Sequence, residues 1–542
     1  MSTDPSASEK QAFSKRRVLL FVLAFSIWLF FLVRSIQVFP PGSAYVTSFN
    51  SDTAIPVLMA NENRPITIYS AYYYGQDRFG AWPFLLADLF HRATNYHWSN
   101  RALFIVQAIW LFIGAILFAT FNRRDDLLVG LLYLLPLCLH VTGRWNLFDL
   151  SQPYAWQTTA LIFSWWSLRR FCERSFGLVE DGNLKLFVWG ALTFWFALLA
   201  IFSSVVSGPI LFFLLILEVL RSVHKASGGE ALKNVVGRIL QPVLLIAAPV
   251  IIELLTRANF HRYSLKHFGG DNRTLIELDR GHLIENFVNQ WARFCNSPWW
   301  LLSLLPILVL IALSVRYIYL LKGNRKKLLG KLTDLFLSDN AVLVIGTFVI
   351  GIINLIVTAL VSHVRNGGYN VRYLAPSYLF LSFSGLLAFL VLIDEMKRYK
   401  RWARAFLAAA SLVFLLIKFP AAETRPEYPL LKETALTLSQ KAPGSVLLGG
   451  YWYTYVFAGL DPNDSLLPLP AEGESLRMPW MIEALRRSDR VIVENHLPAL
   501  GGTESPAPHL VQYGVSLRLL VPKWYVNTDF TFSLYEKEGG QP

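Results

Sequence analysis

The stretch VLLFVLAFSIWLFFLV, residues 18–33, decides the fold class, because it stays apolar over most of the length that a lipid bilayer demands. Basic residues precede it at Lys15, Arg16 and Arg17, and no small-residue cleavage site follows it. A secretory signal peptide has a shorter apolar core and ends in such a site. The stretch therefore predicts a signal anchor that stays in the membrane.

The composition of the chain extends this interpretation to most of its length. Of the 542 residues, 54% are hydrophobic and only 16% are charged, whereas about 25% of the residues of a soluble protein are charged. The net charge of +13 does not indicate nucleic-acid binding, because the Lys and Arg residues cluster at the ends of apolar runs. The three cysteines are too few for a disulfide framework.

The apolar runs predict a polytopic α-helical membrane protein with about eleven transmembrane helices, each close to the ~20 residues that cross a bilayer. The predicted helices cover roughly residues 18–39, 100–121, 126–141, 153–170, 184–203, 206–223, 236–256, 298–321, 340–362, 373–395 and 402–419. The third and the eleventh are the shortest.

Clusters of Lys and Arg orient these helices, because basic loops stay in the cytoplasm. The clusters precede the first helix and follow the second, fourth, sixth, eighth and tenth, so they all fall on one side of the membrane. This pattern predicts a cytoplasmic tail at 1–17, a transmembrane domain at 18–420 and a first outer loop at 40–99. We expect a bacterial inner membrane protein whose outer loops face the periplasm.

The last part of the chain, residues 421–542, has a different character. Apolar spans stop, and short β-like runs alternate with turn residues. The β-like runs are SVLLGG (445–450), RVIVENH (490–496), SLRLLVP (516–522) and FTFSLYEK (530–537), and MPWMIEALRRS (478–488) is helix-like. The pattern predicts a small, soluble, periplasmic α/β domain.

Two carboxylates follow the first apolar run, Asp52 in SFNSDTAIPVLMA and Asp77 in YYYGQDRFGAWPFLLADLF. A carboxylate beside lipid is costly unless it faces water, a partner or a substrate, and it is the group that a general base needs. The outer loops also carry Arg78, Arg365 and Arg372, and guanidinium groups bind phosphate bidentately. Together with the many aromatic residues, these groups predict a sugar-phosphate site.

In order and topology these features resemble the integral-membrane glycosyltransferases of the GT-C fold that use polyprenyl-phosphate sugars. The group includes the protein O-mannosyltransferases and the lipid A aminoarabinose transferase. The resemblance rests on Ser51-Asp52 soon after the first span, on Asp77 25 residues later, and on Asn370-Val371-Arg372-Tyr373-Leu374-Ala375-Pro376 at the start of a late span. A soluble outer domain at the end of the chain completes it, and the likeness covers roughly residues 18–400.

The resemblance implies a catalytic base at Asp52, a second catalytic position at Asp77 and contact between Arg372 and the donor phosphate. The second position is often Glu, or a Glu-Lys pair before prolines, in that group, and this chain has Asp77-Arg78 instead. The remaining predicted substrate- and phosphate-binding residues are Gln76, Arg78, Arg365 and Tyr373. The implied function is a hexosyl- or pentosyltransferase that moves a sugar from a polyprenyl-phosphate donor to a lipid, glycan or protein hydroxyl on the periplasmic face.

The expected partners are the lipid-linked donor, the acceptor and the surrounding membrane lipids, with no nucleic acid. No cofactor and no metal ligand are predicted. In some relatives a second acid directly follows the first, but here Thr53 follows Asp52, so a divalent cation has no support from the sequence. Another acidic candidate, Asp149, lies in the short outer loop 142–152.

Each site residue also has a structural interpretation. Asp52 could cap an interfacial helix, Asp77 could pair with Arg78 in a turn, and Arg372 could extend to the lipid headgroups. At the level of function, the alternative is a transporter or flippase of a lipid-linked or anionic substrate, which typically shows internal repeats and charges inside its spans. The sequence has no repeated halves, which favours the enzyme. A non-catalytic subunit with the same fold is the third hypothesis.

Overall fold

The structure is a computed structural model, and it describes most of the helical part and most of the C-terminal part of the chain. It describes Ser26, Phe30 and residues 51–62, 64–74, 80–121, 126–139, 147, 149–150, 152–179, 182–226, 232–268, 279–320, 325–361, 364, 371–395, 398–418, 427–474, 476–495 and 506–538. The predicted anchor at 18–39 lies outside these residues except for Ser26 and Phe30.

Fourteen helices precede the C-terminal part in the described residues. They are α1 (Ser51–Ala60), α2 (Trp82–Thr94), α3 (Asn100–Ala119), α4 (Leu127–Leu139), α5 (Tyr154–Ser175), α6 (Asn183–Ser203), α7 (Ser207–Ala226), α8 (Leu232–Phe268), α9 (Arg280–Cys295), α10 (Leu305–Leu320), α11 (Arg325–Phe336), α12 (Asp339–Ala359), α13 (Ala375–Glu395) and α14 (Lys400–Lys418). Short 3-10 helices lie at Ile68–Ala71, Pro298–Leu304 and Val371–Leu374.

Seven helical segments in the described residues are long and apolar enough to cross a membrane. They are Asn100–Ala119, Asn183–Ser203, Ser207–Ala226, Gly237–His267, Trp299–Leu320, Asp339–Ala359 and Arg372–Glu395, and all coincide with predicted spans. Two more predicted spans correspond to α5, with 22 residues, and α14, with 19, which carry more charge. The predicted class of a multi-pass helical membrane protein is confirmed, and the count of eleven stays a prediction.

A cluster of charged side chains is buried between α5, α7 and α12. Arg221 donates to Glu218 at 2.8 Å, to Asp339 at 2.8 Å and to Glu173 at 3.0 Å. Arg169 forms a further ion pair with Asp339. Arg221 and Glu218 are fully inaccessible to solvent. The hydrogen bonds of Arg221 to Glu173 on α5 and to Asp339 on α12 link the three helices.

The C-terminal part forms one six-stranded mixed sheet with flanking helices. Its elements are α15 (Glu427–Lys441), β1 (Val446–Gly449), α16 (Tyr451–Leu460), β2 (Leu467–Pro470), α17 (Met481–Arg487), β3 (Arg490–Glu494), β4 (His509–Gln512), β5 (Val515–Val526) and β6 (Thr531–Lys537). The strand order is β2-β1-β3-β6-β5-β4, with β1 parallel to β2 and β3 and the remaining pairs antiparallel. The predicted small α/β unit is confirmed.

The first loop and the C-terminal unit share one hydrophobic core. Buried residues of α1, such as Ala54 and Ile55, belong to the same cluster as Leu447 of β1 and Phe457 of α16. The helices α1 and α16 pack closely, since a Cβ added to Gly459 would lie only 3.0 Å from the Cβ of Ala54. The C-terminal unit is therefore fixed directly to the loop that carries Asp52.

Candidate functional site

Asp52 is the second residue of α1, and its half-buried side chain faces the C-terminal unit. The hydroxyl of Tyr451 donates a hydrogen bond of 2.6 Å to Oδ1 of Asp52. The hydroxyl of Tyr73 donates to the backbone oxygen of the same residue. An acidic residue in the first helical turn is also stabilised by the helix dipole. These contacts fix both the backbone and the carboxylate of Asp52.

The fold of the C-terminal unit delivers Tyr451 to this position. Tyr451 is the first residue of α16 and follows directly on β1, a central parallel strand, and Gly450. Side chains at the carboxyl ends of parallel strands commonly form binding sites in α/β sheets. Burial raises the pKa of the Tyr451 hydroxyl, and the negative charge of Asp52 raises it further. Tyr451 therefore stays protonated at neutral pH and acts as the hydrogen-bond donor.

Two guanidinium groups lie within electrostatic range of the Asp52 carboxylate. Arg372 comes from the membrane part, in the 3-10 helix before α13, and donates a 2.8 Å hydrogen bond to the hydroxyl of Tyr373. Arg477 comes from the C-terminal unit, between β2 and α17, and its Cζ lies 5.7 Å from the ring centre of Tyr451. Its Nε is buried and has no hydrogen-bond partner among the residues that the structure describes.

A second carboxylate, Asp149, also approaches the site. Burial raises the pKa of the Tyr73 hydroxyl, and the negative charges of Asp52 and Asp149 raise it further. The amide of Gln107 on α3 holds this segment by donating to the backbone oxygens of Leu147 at 3.1 Å and Asp149 at 3.2 Å. Among the residues that the structure describes, Asp149 is thus an acidic residue close to the Tyr73 that contacts Asp52, and the sequence offered it only as an additional candidate.

The outcome for the predicted site residues is uneven. Asp52, Arg372 and Tyr373 lie together at the boundary between the membrane part and the C-terminal unit. The other predicted residues lie outside the described residues, namely Gln76, Asp77, Arg78 and Arg365. Their roles stay predictions. Within the described ranges, no group of three His, Cys, Asp or Glu side chains is placed to hold a metal ion.

Sequence reasoning missed Tyr451 and Arg477, and it did not identify the contact of Tyr73 with Asp52. Tyr451 had a usable signal, because it follows the β-like run SVLLGG, and the residue after a parallel strand is a common functional position. Tyr73 lies in the run Tyr72-Tyr73-Tyr74, which fits an aromatic belt at the membrane interface as well as it fits a platform for a sugar ring. Arg477 lies in a segment without any recognisable pattern.

A cavity of about 290 Å³ lies beside this site. It is lined by Glu62, Arg64, Pro65, Thr67, Tyr69, Ser70, Tyr263, His267 and Trp480. The hydroxyl of Tyr74, next to Tyr73, donates to the carboxyl group of Glu62. Burial raises the pKa of Glu62 to about 8, against the opposing effect of Arg64. The Glu62 carboxyl group is therefore mostly protonated at neutral pH.

Comparisons with known proteins give structural similarities of low sequence identity. No protein-family model matches the sequence, and no curated protein matches it. The chain is similar to ArnT from Cupriavidus metallidurans in the apo state, with 11% identity and a TM-score of 0.41, over 97% of this chain and 98% of that chain. ArnT, the lipid A aminoarabinose transferase, is in the group that the sequence motifs resemble.

Two structures of an oligosaccharyltransferase from Archaeoglobus fulgidus are also similar. One is AglB in complex with an inhibitory peptide and a dolichol-phosphate, with 9% identity, a TM-score of 0.39, and coverage of 88% of this chain and 70% of that chain. The other is an apo form with 11% identity, a TM-score of 0.37, and coverage of 82% and 64%. At these TM-scores the likeness concerns the general arrangement of the chain, so no activity and no residue role are transferred from these structures.

Proposed function

We propose that the chain is a membrane glycosyltransferase that moves a sugar from a polyprenyl-phosphate donor to an acceptor hydroxyl on the periplasmic face. The observation that carries the proposal is the position of Asp52. Its carboxylate lies within electrostatic range of one guanidinium from the membrane part, Arg372, and one from the C-terminal unit, Arg477. A carboxylate with guanidinium groups in electrostatic range suits transfer from a sugar phosphate, because a carboxylate can act as a base and guanidinium groups bind phosphate.

In the proposed reaction, Asp52 removes the proton from the acceptor hydroxyl. The hydroxyl oxygen attacks the anomeric carbon of the donor sugar, and the bond between that carbon and the phosphate oxygen breaks. The electron pair leaves with the phosphate, whose charge Arg372 and Arg477 neutralise. Tyr451 holds the Asp52 carboxylate through its 2.6 Å hydrogen bond, so the base does not need to reorient for the reaction.

The site would suit a lipid-linked donor because it lies where membrane helices meet the C-terminal unit. Arg372 is the first residue of Arg372–Glu395, one of the seven described segments that are long and apolar enough to cross a membrane. A phosphate held there would leave its prenyl chain beside the apolar faces of the helices. The acceptor would be a lipid, glycan or protein that reaches the site from the outer side.

The test is turnover of a labelled polyprenyl-phosphate sugar by the purified full-length protein, followed by release of polyprenyl phosphate. We expect Asp52→Asn to lower turnover by at least ~100-fold, the range that general-base catalysis contributes. The control is Asp529→Asn, since Asp529 is an exposed carboxylate far along the C-terminal unit. It should keep wild-type turnover, and both variants should unfold at the wild-type temperature. Wild-type turnover by Asp52→Asn would remove this residue from the mechanism.

Transport of a lipid-linked or anionic substrate is the second candidate. One observation favours it, namely that Glu218 and Arg221 are fully buried inside the helical part, and charges in such positions are typical of transport pathways. Their mutual hydrogen bonds also give them a structural role. The same assay separates the two functions, because a transporter would move the labelled donor between leaflets of a vesicle without releasing polyprenyl phosphate.

A further inference from the structure

The cavity beside the candidate site is walled by three parts of the chain. The first loop contributes Glu62 and Arg64, the outer end of α8 contributes Tyr263, and the C-terminal unit contributes Trp480. A volume of about 290 Å³ is near the lower limit of small-ligand pockets, roughly 300 Å³. The cavity therefore has room for a single ring rather than for an extended chain.

The lining combines flat aromatic groups with hydrogen-bonding groups. Tyr69 and Trp480 are in edge contact, with ring centres 5.8 Å apart. The guanidinium of Arg64 lies over the Trp480 ring at 4.2 Å and reaches within 3.7 Å of the Glu62 carboxyl group. Thr67 and Ser70 also line the wall. Aromatic side chains together with a few convergent polar groups suit a sugar ring, which has apolar C–H faces and a polar edge of hydroxyl groups.

The protonation state of Glu62 also suits a sugar hydroxyl. Its carboxyl group accepts the hydrogen bond of Tyr74, and burial keeps it mostly protonated at neutral pH. A neutral carboxyl group offers one donor and one acceptor, which complements a sugar hydroxyl. A lipid tail could form no hydrogen bond with the polar groups of this lining, whereas the hydroxyl groups of a sugar could.

The cavity is connected to Asp52 along two routes. Asp52 is the second residue of helix α1, which ends two residues before Glu62, and the helix rises about 12 Å from Asp52 to Ala60. The neighbouring residues Tyr73 and Tyr74 donate to Asp52 and to Glu62, respectively. The cavity and the proposed base are thus linked both along α1 and through two adjacent tyrosines.

We propose that this cavity binds a sugar ring of the acceptor, so that the acceptor is a glycan or glycolipid with at least one sugar held away from the reacting hydroxyl. This inference rests on the proposed function for its role in transfer. The binding of a sugar ring in the cavity can be measured independently of that role.

The test uses saturation-transfer NMR on the purified full-length protein with a set of methyl hexopyranosides, neutral ones and uronates, as probes. We expect at least one member to bind the wild-type protein and Asp52→Asn equally well. Arg64→Gln and Trp480→Phe should weaken that binding by at least fivefold. The control is Arg487→Gln, since the Arg487 side chain is 79% exposed and does not line the cavity, and it should bind like the wild type.

A second measurement connects the cavity to transfer. With a glycan acceptor that the wild type uses, Arg64→Gln should raise the acceptor KM by at least fivefold and leave the donor KM unchanged. Absence of binding by every probe, or equal binding by the wild type and both cavity variants, would overturn the inference. If the glycosides bind as expected but no variant and no wild type releases polyprenyl phosphate, the proposed function fails and the sugar site stands.

Discussion

The hydroxyl of Tyr451 donates a 2.6 Å hydrogen bond to the carboxylate of Asp52, although 399 residues separate them in the sequence. Asp52 is the second residue of α1 in the first loop, and Tyr451 is the first residue of α16 in the C-terminal unit. The candidate base therefore depends on both parts of the chain. The C-terminal unit is a component of the site and not only an appended domain.

This contact predicts the effect of Tyr451→Phe. The variant keeps the ring but removes a hydrogen bond to a carboxylate, which is worth ~1.5–3 kcal/mol. We expect turnover of the labelled donor to fall by about 10- to 100-fold, since 1.4 kcal/mol corresponds to a factor of ten, with the donor KM unchanged. Tyr453→Phe on the same helix is the matched control, because the Tyr453 ring packs on Phe530 instead. Equal turnover in the two variants would contradict a role for Tyr451.

Arg477 gives a separate prediction about the donor. If its guanidinium neutralises the phosphate, Arg477→Gln should raise the donor KM by at least tenfold, because a hydrogen bond to a charged group is lost. Arg477→Lys should recover part of the affinity, since it restores the charge but not the bidentate geometry. The comparison with Arg487→Gln, an exposed arginine of the same unit, separates this effect from a general change of charge. An unchanged donor KM in Arg477→Gln would assign the phosphate to Arg372 alone.

The sequence predicted the parts of the site that have a local signal. Asp52 lies in a polar loop directly after an apolar run, and Arg372 opens a late apolar helix, so both have an unusual environment that can be recognised from their neighbours in sequence. The seven described helices that coincide with predicted spans could likewise be recognised from their own sequences, because each is a long apolar run. The helix α5 was also expected, but its buried charges, such as Arg169, could not be assigned partners from sequence.

The rest of the site could not be predicted because its contacts are distant in sequence. No periodicity or motif relates Tyr451 or Arg477 to Asp52, and their approach depends on how α16 packs on α1 through Gly459 and Ala54. The cavity has the same origin, since its walls come from three separate segments. Such contacts arise when whole helices and strands pack together. The residue pattern within one segment carries no information about that packing.

The buried ion cluster predicts a non-additive loss of stability. Arg221→Met leaves Glu218 without the guanidinium that it contacts at 2.8 Å and removes one of the cations around Asp339, and removing one member of a buried ion pair typically costs ~3–5 kcal/mol. The double variant Glu218→Gln with Arg221→Met removes one uncompensated charge together with its partner, so we expect it to be less destabilised than Arg221→Met alone. Thermal unfolding in detergent measures both. A double variant less stable than either single variant would show that the cluster contributes through packing rather than charge.

The last prediction concerns the pH dependence of stability at Glu62. Burial raises its pKa to about 8 in the folded protein, from 4.5 in the unfolded chain, and Asp88 opposes the lowering effects of Arg64 and Arg92. A carboxyl group with a raised folded-state pKa stabilises the protein fully below pH 4.5. That contribution declines as the pH rises from 4.5 to 8, because the unfolded chain ionises there while the buried group stays protonated, and it is lost once the pH passes 8.

The unfolding temperature of the wild type should therefore fall between pH 6 and pH 9 by more than that of Glu62→Gln, which cannot ionise. Between pH 6 and pH 8, each pH unit weakens the wild type by up to about 1.4 kcal/mol relative to the variant. Glu483→Gln is the control, since the side chain of Glu483 is 50% exposed on α17, and it should follow the wild-type curve. Parallel curves for the wild type and Glu62→Gln would mean that Glu62 is already ionised at neutral pH, and the cavity would then present a negative charge beside Arg64.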